Sequence, residues 1–318
     1  MTTMPAPGSR PECASGFVVA VSKPERWTSH DAVARVRRLL GESKVGHTGT
    51  LDPFATGLLL CCVGRATKLA NYLMDLTKEY EGTLLFGMRT SSGDIAGEVL
   101  EDRAVPLPAL DVLARTAHGF EGEIEQVPPM VSALKHEGRR LYRLARQGIT
   151  VERAPRRIFV ESFEMLSGEG RRVRFRVRCA RGTYVRTLVE DFGARLGAGA
   201  CVETLCRTRV GPFRVEDAVD IEQESSATVL RERAIPMADA LVGLPGWRLP
   251  PFWVRKLRDG HAPPWSVIEM EREPRAGEVG RLLGLSGDLV ALGRAVATSG
   301  PEGRPWHDAL DLELLRVI

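Results

Sequence analysis

The chain has 318 residues, 43% of them hydrophobic and 27% charged, which supplies enough apolar material for a sizeable core and argues against wholesale disorder. At roughly 150 residues per domain, that length suits about two domains. The formal net charge is only +3, so composition neither demands nor excludes nucleic-acid binding, and the placement of charge has to decide.

The start, "MTTMPAPGSRPECASG", lacks the apolar h-region of a secretory signal, and residues 1–15 read as a disordered tail. No run of about 18 apolar residues follows, so no membrane span is expected. The cysteines, Cys13, Cys61, Cys62, Cys179, Cys201 and Cys206, include no C-x-x-C pair and mostly sit among apolar residues. Free cysteine in that setting acts as a small hydrophobe, which suits a reducing cytoplasm and gives no reason to expect a metal.

"GFVVAVSKP" reads as a buried strand ended by proline. "TSHDAVARVRRLLG" then carries a helix start at Thr28 or Ser29, an acid at Asp31 in the first turn, and a stop at Gly41. Ala32, Val33, Val36, Leu39 and Leu40 recur at helical spacing. Past the loop "GHTGTLDPFATG", "LLLCCVG" reads as a strand and "ATKLANYLMDL" as a helix with Leu69, Leu73 and Leu76 on one side. "EYEGTLLFG" reads as the next strand. Residues 126–157 are rich in Arg and Pro. In "RRVRFRVRC", Val173, Phe175, Val177 and Cys179 alternate with Arg172, Arg174, Arg176 and Arg178, which predicts a strand with one apolar and one basic face. "GTYVRTLVEDFGARLG" predicts a helix with Val185, Leu188, Val189 and Phe192 inward. The pattern breaks at "LVGLPGWRLPP", a boundary near residue 245, and "SVIEM", "RLLGL" and "DLVALGRAV" beyond it read as strands of a small β-rich domain.

The loop over residues 46–57 sets one acid, Asp52, among glycines, threonines and a proline, with His47 five residues upstream. It is not a P-loop, which needs G-x-x-x-x-G-K-[ST]. It lacks the second carboxylate of an aspartic protease. No G-x-S-x-G elbow is present, and His47 has no partner at metal-ligand spacing. A carboxylate acting alone as nucleophile or electrostatic centre survives this elimination. The competing reading is an Asp before Pro that merely bonds its own backbone in a turn.

"GHTGTLDPFATGLL" closely resembles the active-site loop of the TruB family of tRNA pseudouridine synthases. The resemblance continues in order through "VGRATKLANYL", "KEYEGTLLFGMRTSSGDIAGEV", "VPPMVSALKHEGRRLYRLARQG", "RVRCARGTYVRTLVEDFG" and "LCRTRVGPF", spanning most of Gly16 to about Leu241. It implies a mixed α/β (α+β) pseudouridine synthase fold, a large mostly antiparallel sheet flanked by helices, over residues 16–245. It also implies a small PUA-like β-rich domain over 246–318. Asp52 stands at the position of the family's catalytic aspartate, Tyr80 at that of the tyrosine stacked on the target uracil, and Arg186 at that of the arginine paired with the aspartate. Tyr184 and Leu205 match positions lining the uridine pocket, and His47 matches a histidine that contacts the RNA loop. Lys135, Arg139, Arg140, Arg143 and Arg146 fall in the family's RNA-gripping insertion, here about residues 126–157.

The implied reaction moves the uracil of tRNA uridine 55, in the T-loop, from an N1 to a C5 link with the sugar. Nothing is oxidised or hydrolysed, so no cofactor or metal is implied, and one carboxylate beside a cation suffices. Flipping the base from the stack costs a few kcal/mol, and stacking on an aromatic ring returns roughly 1–3 kcal/mol, a task suited to Tyr80. The expected partner is the T-stem-loop of tRNA, with the enzyme acting as a cytoplasmic monomer. The alternatives are a tRNA-binding folding chaperone with secondary or absent catalysis, and modification of other sites with a guide RNA. Three departures from the family pattern stand out: Arg26 where glycine is usual, Ser92 where threonine is usual, and Cys206 where arginine is common.

Overall fold

The computed structural model of the chain describes residues 15–132, 134–145, 147–298 and 309–318, and leaves the side chain of Lys135 undescribed. Apart from Ser15, the expected disordered tail therefore lies outside the described residues, as do Cys13 and Arg146.

Strand β1 (Gly16–Lys23) leads into helix α1 (Ser29–Leu40). Thr28 caps the helix: its hydroxyl accepts from Asp31 N–H at 3.1 Å while the Asp31 carboxylate accepts Thr28 N–H at 2.8 Å. Gly41 ends it at φ 64°, a left-handed conformation open to a residue without Cβ. Strands β2 (Val45–His47) and β3 (Thr56–Gly64) follow. The helix expected next is shorter than its apolar spacing suggests: Arg65–Leu69 is a 3₁₀ turn, and only α2 (Ala70–Met74) is α-helical.

Strand β4 (Lys78–Phe86) precedes a hairpin of β5 (Met88–Thr90) and β6 (Val99–Asp102), then helix α3 (Leu110–His118) and β7 (Gly122–Gln126). The basic stretch folds as a small hairpin, β8 (Lys135–His136) and β9 (Arg139–Arg140), with helix α4 (Leu141–Ala145). Next come β10 (Arg156–Glu169), β11 (Arg172–Cys179), α5 (Val185–Arg195), β12 (Ala200–Val210), β13 (Phe213–Arg214) and β14 (Val219–Asp220). Helices α6 (Ala227–Glu232) and α7 (Met237–Ala240) close this part.

The large sheet runs β14-β1-β3-β12-β4-β11-β10-β7, with β2 on β3 and β13 on β12. Its pairings are antiparallel except β1–β14 and β3–β12, so the mostly antiparallel α+β expectation holds. The continuous apolar runs of β1 and β3 have a simple cause. Val19, Val21, Leu59 and Cys61 pack under α1 and α6 on one face, while Val18, Leu58, Leu60 and Cys62 pack into a second core on the other. Strand β11 alternates because only one of its faces is covered: Val173, Phe175, Val177 and Cys179 join α3 and α5 in a third core.

The arginine face of β11 carries a ladder of opposite charges. Arg172 meets Glu203 at 2.8 Å, Arg176 meets Glu81 at 2.7 Å, Arg178 meets Glu161 at 3.2 Å, and Arg174 lies 4.0 Å from Glu81. The face is thus a balanced cross-strand surface rather than a positive strip for a nucleic acid.

A second sheet, order β16-β15-β17-β18-β19, follows residue 245. It comprises β15 (Gly246–Arg248), β16 (Glu269–Met270), β17 (Val279–Leu283), β18 (Leu289–Ala297) and β19 (Leu310–Val317), with helix α8 (Pro251–Arg258) between the first two. It has its own core around Trp247 and Leu282, yet Leu283, Leu289 and Leu292 pack into the core shared with Val18, Leu60 and Leu241. Lys68 Nζ donates to Val317 O at 2.8 Å, and Arg281 Nη1 donates to Ala238 O at 2.8 Å across the same junction. No described helix is long and apolar enough to cross a membrane.

Candidate active site

The loop over residues 46–57 leaves β2, turns, and re-enters the sheet as β3. Thr48 N–H donates to Leu60 O at 3.1 Å, and Ala55 N–H donates to the backbone oxygen of Asp52 at 3.1 Å, closing the turn. The turn is therefore made by the main chain of Asp52, and its carboxylate is not spent on it. Several groups pin the loop from outside. Ser29 Oγ accepts Leu51 N–H at 2.8 Å, and Arg26 N–H donates to Pro53 O at 2.7 Å. Leu51 and Ala55 are buried in the core that also contains Leu205 and Val185, with Phe54 and Tyr80 packed against it.

Lys23 adds a further clamp. It is fully buried, and its Nζ donates to Pro24 O at 2.7 Å, Trp27 O at 2.8 Å and Pro53 O at 3.4 Å. Burial lowers its pKa to about 8, partly opposed by the nearby Asp52, so it carries its charge at neutral pH.

The partner of the Asp52 carboxylate arrives from 134 residues along the chain. Arg186, the second residue of α5 and 2% exposed, donates through Nε to Asp52 Oδ2 at 2.8 Å. Its Nη1 donates to Ser92 O at 2.6 Å and its Nη2 to Val131 O at 2.8 Å. Asp94 Oδ2 lies 3.6 Å from Nε as a second anion. This set resolves the oddity of a cation at a helix N-terminus, where the dipole disfavours it: the acceptors are aimed at the guanidinium. The Asp52 side chain is 35% exposed, so one side of the pair faces solvent while the arginine does not.

Sequence reasoning passed over Asp94, although it lies in the quoted "TSSGD". It is buried and itself held, accepting from Ser92 Oγ at 2.8 Å and from Ala96 N–H at 3.0 Å. Serine in place of the usual threonine at position 92 thus keeps the hydroxyl that matters here. Gln126, also not anticipated, exchanges two hydrogen bonds with the main chain of Tyr184, at 2.8 and 3.1 Å, and so steadies the residue that caps α5. Burial raises the pKa of the Tyr184 hydroxyl.

Tyr80 projects from the middle of β4, opposite Val177 on β11 and Arg207 on β12, and burial raises its pKa as well. Leu205, two residues before Arg207, is buried on the same strand. His47 Nδ1 accepts Gly49 N–H at 3.3 Å, and its ring meets His30 edge-on with centroids 5.7 Å apart. Burial, with the Arg207 guanidinium adding to it, lowers the His47 pKa to about 4, so at neutral pH it is an uncharged ring.

Five predicted residues therefore gather around one centre: Asp52, Arg186, Tyr80, Leu205 and Tyr184. His47 sits at the base of the same loop. The basic residues do not join them. Arg139, Arg140 and Arg143 are exposed on β9 and α4, with Arg139 donating to Gln147 at 2.6 Å. Lys135 is placed by its main chain opposite Arg140. The arm that carries them is nevertheless rooted at the site, because Val131 O is one of the acceptors of Arg186. Among the described residues no three His, Cys, Asp or Glu side chains cluster as metal ligands would.

Residues 37–185 match the family model described as TruB family pseudouridylate synthase (N terminal domain), and residues 186–242 match that of the tRNA pseudouridylate synthase B C-terminal domain. A relative named tRNA pseudouridine synthase B from Pelotomaculum thermopropionicum is 40% identical over 296 residues, covering 90% of this chain and 92% of the relative. One of the same name from Geobacillus kaustophilus is 43% identical, covering 76% of this chain and 89% of its own length. Among solved structures, the archaeal box H/ACA sRNP Nop10-Cbf5 complex contains a chain similar at TM-score 0.72 and 26% identity, covering 99% of this chain and 92% of that one. A Cbf5-Nop10-Gar1 complex gives 0.71 and 29%, covering 98% and 90%.

Proposed function

The chain belongs to the TruB family of pseudouridylate synthases, and on that premise we propose that it isomerises uridine 55 in the T-loop of tRNA to pseudouridine. Asp52 is the group that attacks or stabilises the sugar–base centre. The C1′–N1 bond breaks, the uracil turns, and a C1′–C5 bond forms. C5 loses its proton and N1 gains one, so atoms balance without oxidant, water or cofactor.

The observation that carries this reading is the Asp52–Arg186 contact at 2.8 Å, with the arginine buried and the carboxylate open on one side. A buried cation fixes the carboxylate's direction, and the open side leaves room for a flipped nucleotide. Tyr80 supplies the aromatic face for the uracil, Leu205 and Tyr184 the walls of the pocket, and uncharged His47 a ring for the RNA loop. Lys135, Arg139, Arg140, Arg143 and Arg146 contact the phosphate backbone of the T-stem-loop. On this reading the catalytic unit runs to about residue 245, the second sheet is the PUA-like unit, and the enzyme works as a monomer in the cytoplasm.

A tRNA-folding role without catalysis is not favoured, since binding alone has no use for Asp52 held by a buried arginine. A guide-RNA role is not favoured, because the relatives at 40–43% identity carry the tRNA enzyme's name, whereas the chains from the box H/ACA sRNP Nop10-Cbf5 and Cbf5-Nop10-Gar1 complexes stand at 26–29%.

Wild-type protein incubated with a T-stem-loop RNA should convert the uridine at position 55, and Asp52→Asn should convert none while still binding the RNA. Appreciable turnover by Asp52→Asn would sink the mechanism. Conversion at another uridine, with position 55 untouched, would sink the substrate assignment and spare the chemistry.

A further inference from the structure

Helix α5 starts where its own residues give little reason to start. Tyr184 is the N-cap and its side chain makes no capping hydrogen bond, the first turn holds no acid, and Arg186 places a cation there. A capping side chain or an early acid would stabilise the start, whereas a cation opposes the helix dipole. The start is held from another strand instead. Gln126, the last residue of β7 and 2% exposed, accepts Tyr184 N–H through Oε1 at 2.8 Å and donates through Nε2 to Tyr184 O at 3.1 Å. Tyr184 O also accepts Leu188 N–H at 3.0 Å, the bond that opens the helix.

One amide therefore holds both polar atoms of a single residue's main chain. Its acceptor meets an N–H and its donor meets an oxygen, so the two bonds also fix which way round the amide lies. Burying an amide is costly unless its bonds are made, and packing alone would be served by an apolar side chain of the same length. Arg186 follows Tyr184 by two residues, at about 1.5 Å of helix axis per residue, so a shift of the helix start passes directly to the arginine. Gln126 also stands where residues 127–155 leave the sheet, since it pairs with Arg156, the first residue of β10. Val131 O, in that excursion, is the Nη2 acceptor of Arg186. The root of the basic arm thus meets the start of α5 at two points, Tyr184 and Arg186.

We propose that Gln126 is a positioning residue for the isomerisation: by holding the main chain of Tyr184 it sets where α5 starts, and so the direction from which Arg186 meets Asp52. The inference rests on the reading of Asp52 and Arg186 as the catalytic pair. The arm itself is anchored by the main-chain pairing of β7 with β10, which the Gln126 side chain does not make. Small displacements of a reacting group are enough to slow a reaction strongly, so the effect belongs in the rate rather than in RNA affinity.

The test compares wild type, Gln126→Met and Gln126→Asn in single-turnover pseudouridine formation on a T-stem-loop RNA at saturating protein. RNA Kd is measured alongside, and circular dichroism gives the folded fraction. Methionine keeps the length of the side chain and makes neither hydrogen bond, while asparagine keeps the amide but is one methylene too short to make both. Each variant should slow the reaction roughly ten- to a hundredfold per folded molecule, with Kd little changed. A wild-type rate in a folded variant would overturn the proposal, as would a loss confined to Kd. Either variant decides the matter if the other does not fold. NMR of the free protein gives a readout that needs no substrate. The Arg186 Nε–H resonance, identified by its loss in Arg186→Lys, should shift in both Gln126 variants, and an unmoved resonance would also overturn the proposal. If wild type fails to modify the RNA, the catalytic reading falls, while the NMR comparison still reports on the link from Gln126 to Arg186.

Discussion

Arg186→Lys keeps the charge of the site and removes its geometry. The guanidinium holds Asp52 Oδ2 at 2.8 Å, Ser92 O at 2.6 Å and Val131 O at 2.8 Å at once, three acceptors in three directions, and it is 2% exposed. An ammonium on a different stem cannot reach all three, and water has little access to whatever it abandons. Each hydrogen bond to a charged group is worth about 1.5–3 kcal/mol, so the loss of one or two should destabilise the fold by about 2–4 kcal/mol. Urea unfolding measures this directly. Arg178→Lys is the control, because Arg178 also faces carboxylates but is 44% exposed, and its replacement should leave the urea midpoint within error. In single-turnover assays on a T-stem-loop RNA, Arg186→Lys should be slower by at least about a hundredfold, since Asp52 loses its orientation. If Arg186→Lys were as stable as the Arg178→Lys control, or nearly as fast as wild type, the argument from buried convergent acceptors would be wrong.

Arg26 occupies a left-handed position, φ 70°, which a residue with a Cβ adopts only at a cost that glycine avoids. Arg26→Gly relieves about 1–2 kcal/mol of backbone strain against about 0.5–1 kcal/mol of added chain entropy, so thermal unfolding should show a gain of up to about 1 kcal/mol, and a lowered Tm would refute this. His47 is held near pKa 4 in the fold against an ordinary 6.5. The unfolded chain therefore takes up a proton between about pH 6.5 and 4, and stability falls with acid across that window by up to about 1.4 kcal/mol per pH unit. His47→Asn should flatten this part of the urea-midpoint profile, and an unchanged slope would show that another group titrates. Replacing Arg139, Arg140 and Arg143 together by Gln should lower the slope of log Kd against log salt by roughly two for T-stem-loop RNA. A drop in affinity with the slope intact would point to a structural role for the arm.

Much of the local structure was legible because its causes are local. The capping box of Thr28 and Asp31, the stop at Gly41 and the strict alternation of β11 each follow from neighbours a few residues apart. The 3₁₀ start of the segment before α2 was not legible, because apolar spacing of three to four residues suits both a 3₁₀ turn and an α-helix. The residues that serve others were also missed. Asp94 and Arg207 lie inside stretches quoted for the family resemblance, yet nothing nearby in the chain announces what they hold. Gln126 looks like any polar residue ending a strand until its amide is seen on the main chain of Tyr184.

By itself, the sequence determined that β1, α1, β3, β4, β11 and α5 form, that β1 and β3 are buried strands and β11 has one apolar face, and that Asp52 lies in a loop without the partners for hydrolysis or metal binding. Those are statements about periodicity and residue chemistry, which act over a few positions. Only the tertiary structure decided that the turn is closed by the Asp52 main chain, leaving the carboxylate to Arg186, and that the arginine is shared with Ser92 and Val131. It also decided that the basic face of β11 is neutralised by glutamates from three other strands, and that Arg207 ties the start of the Asp52 loop to β3. These contacts join groups distant in the chain, and a buried charge has no defined surroundings until strands and helices from every part of the chain have closed around it.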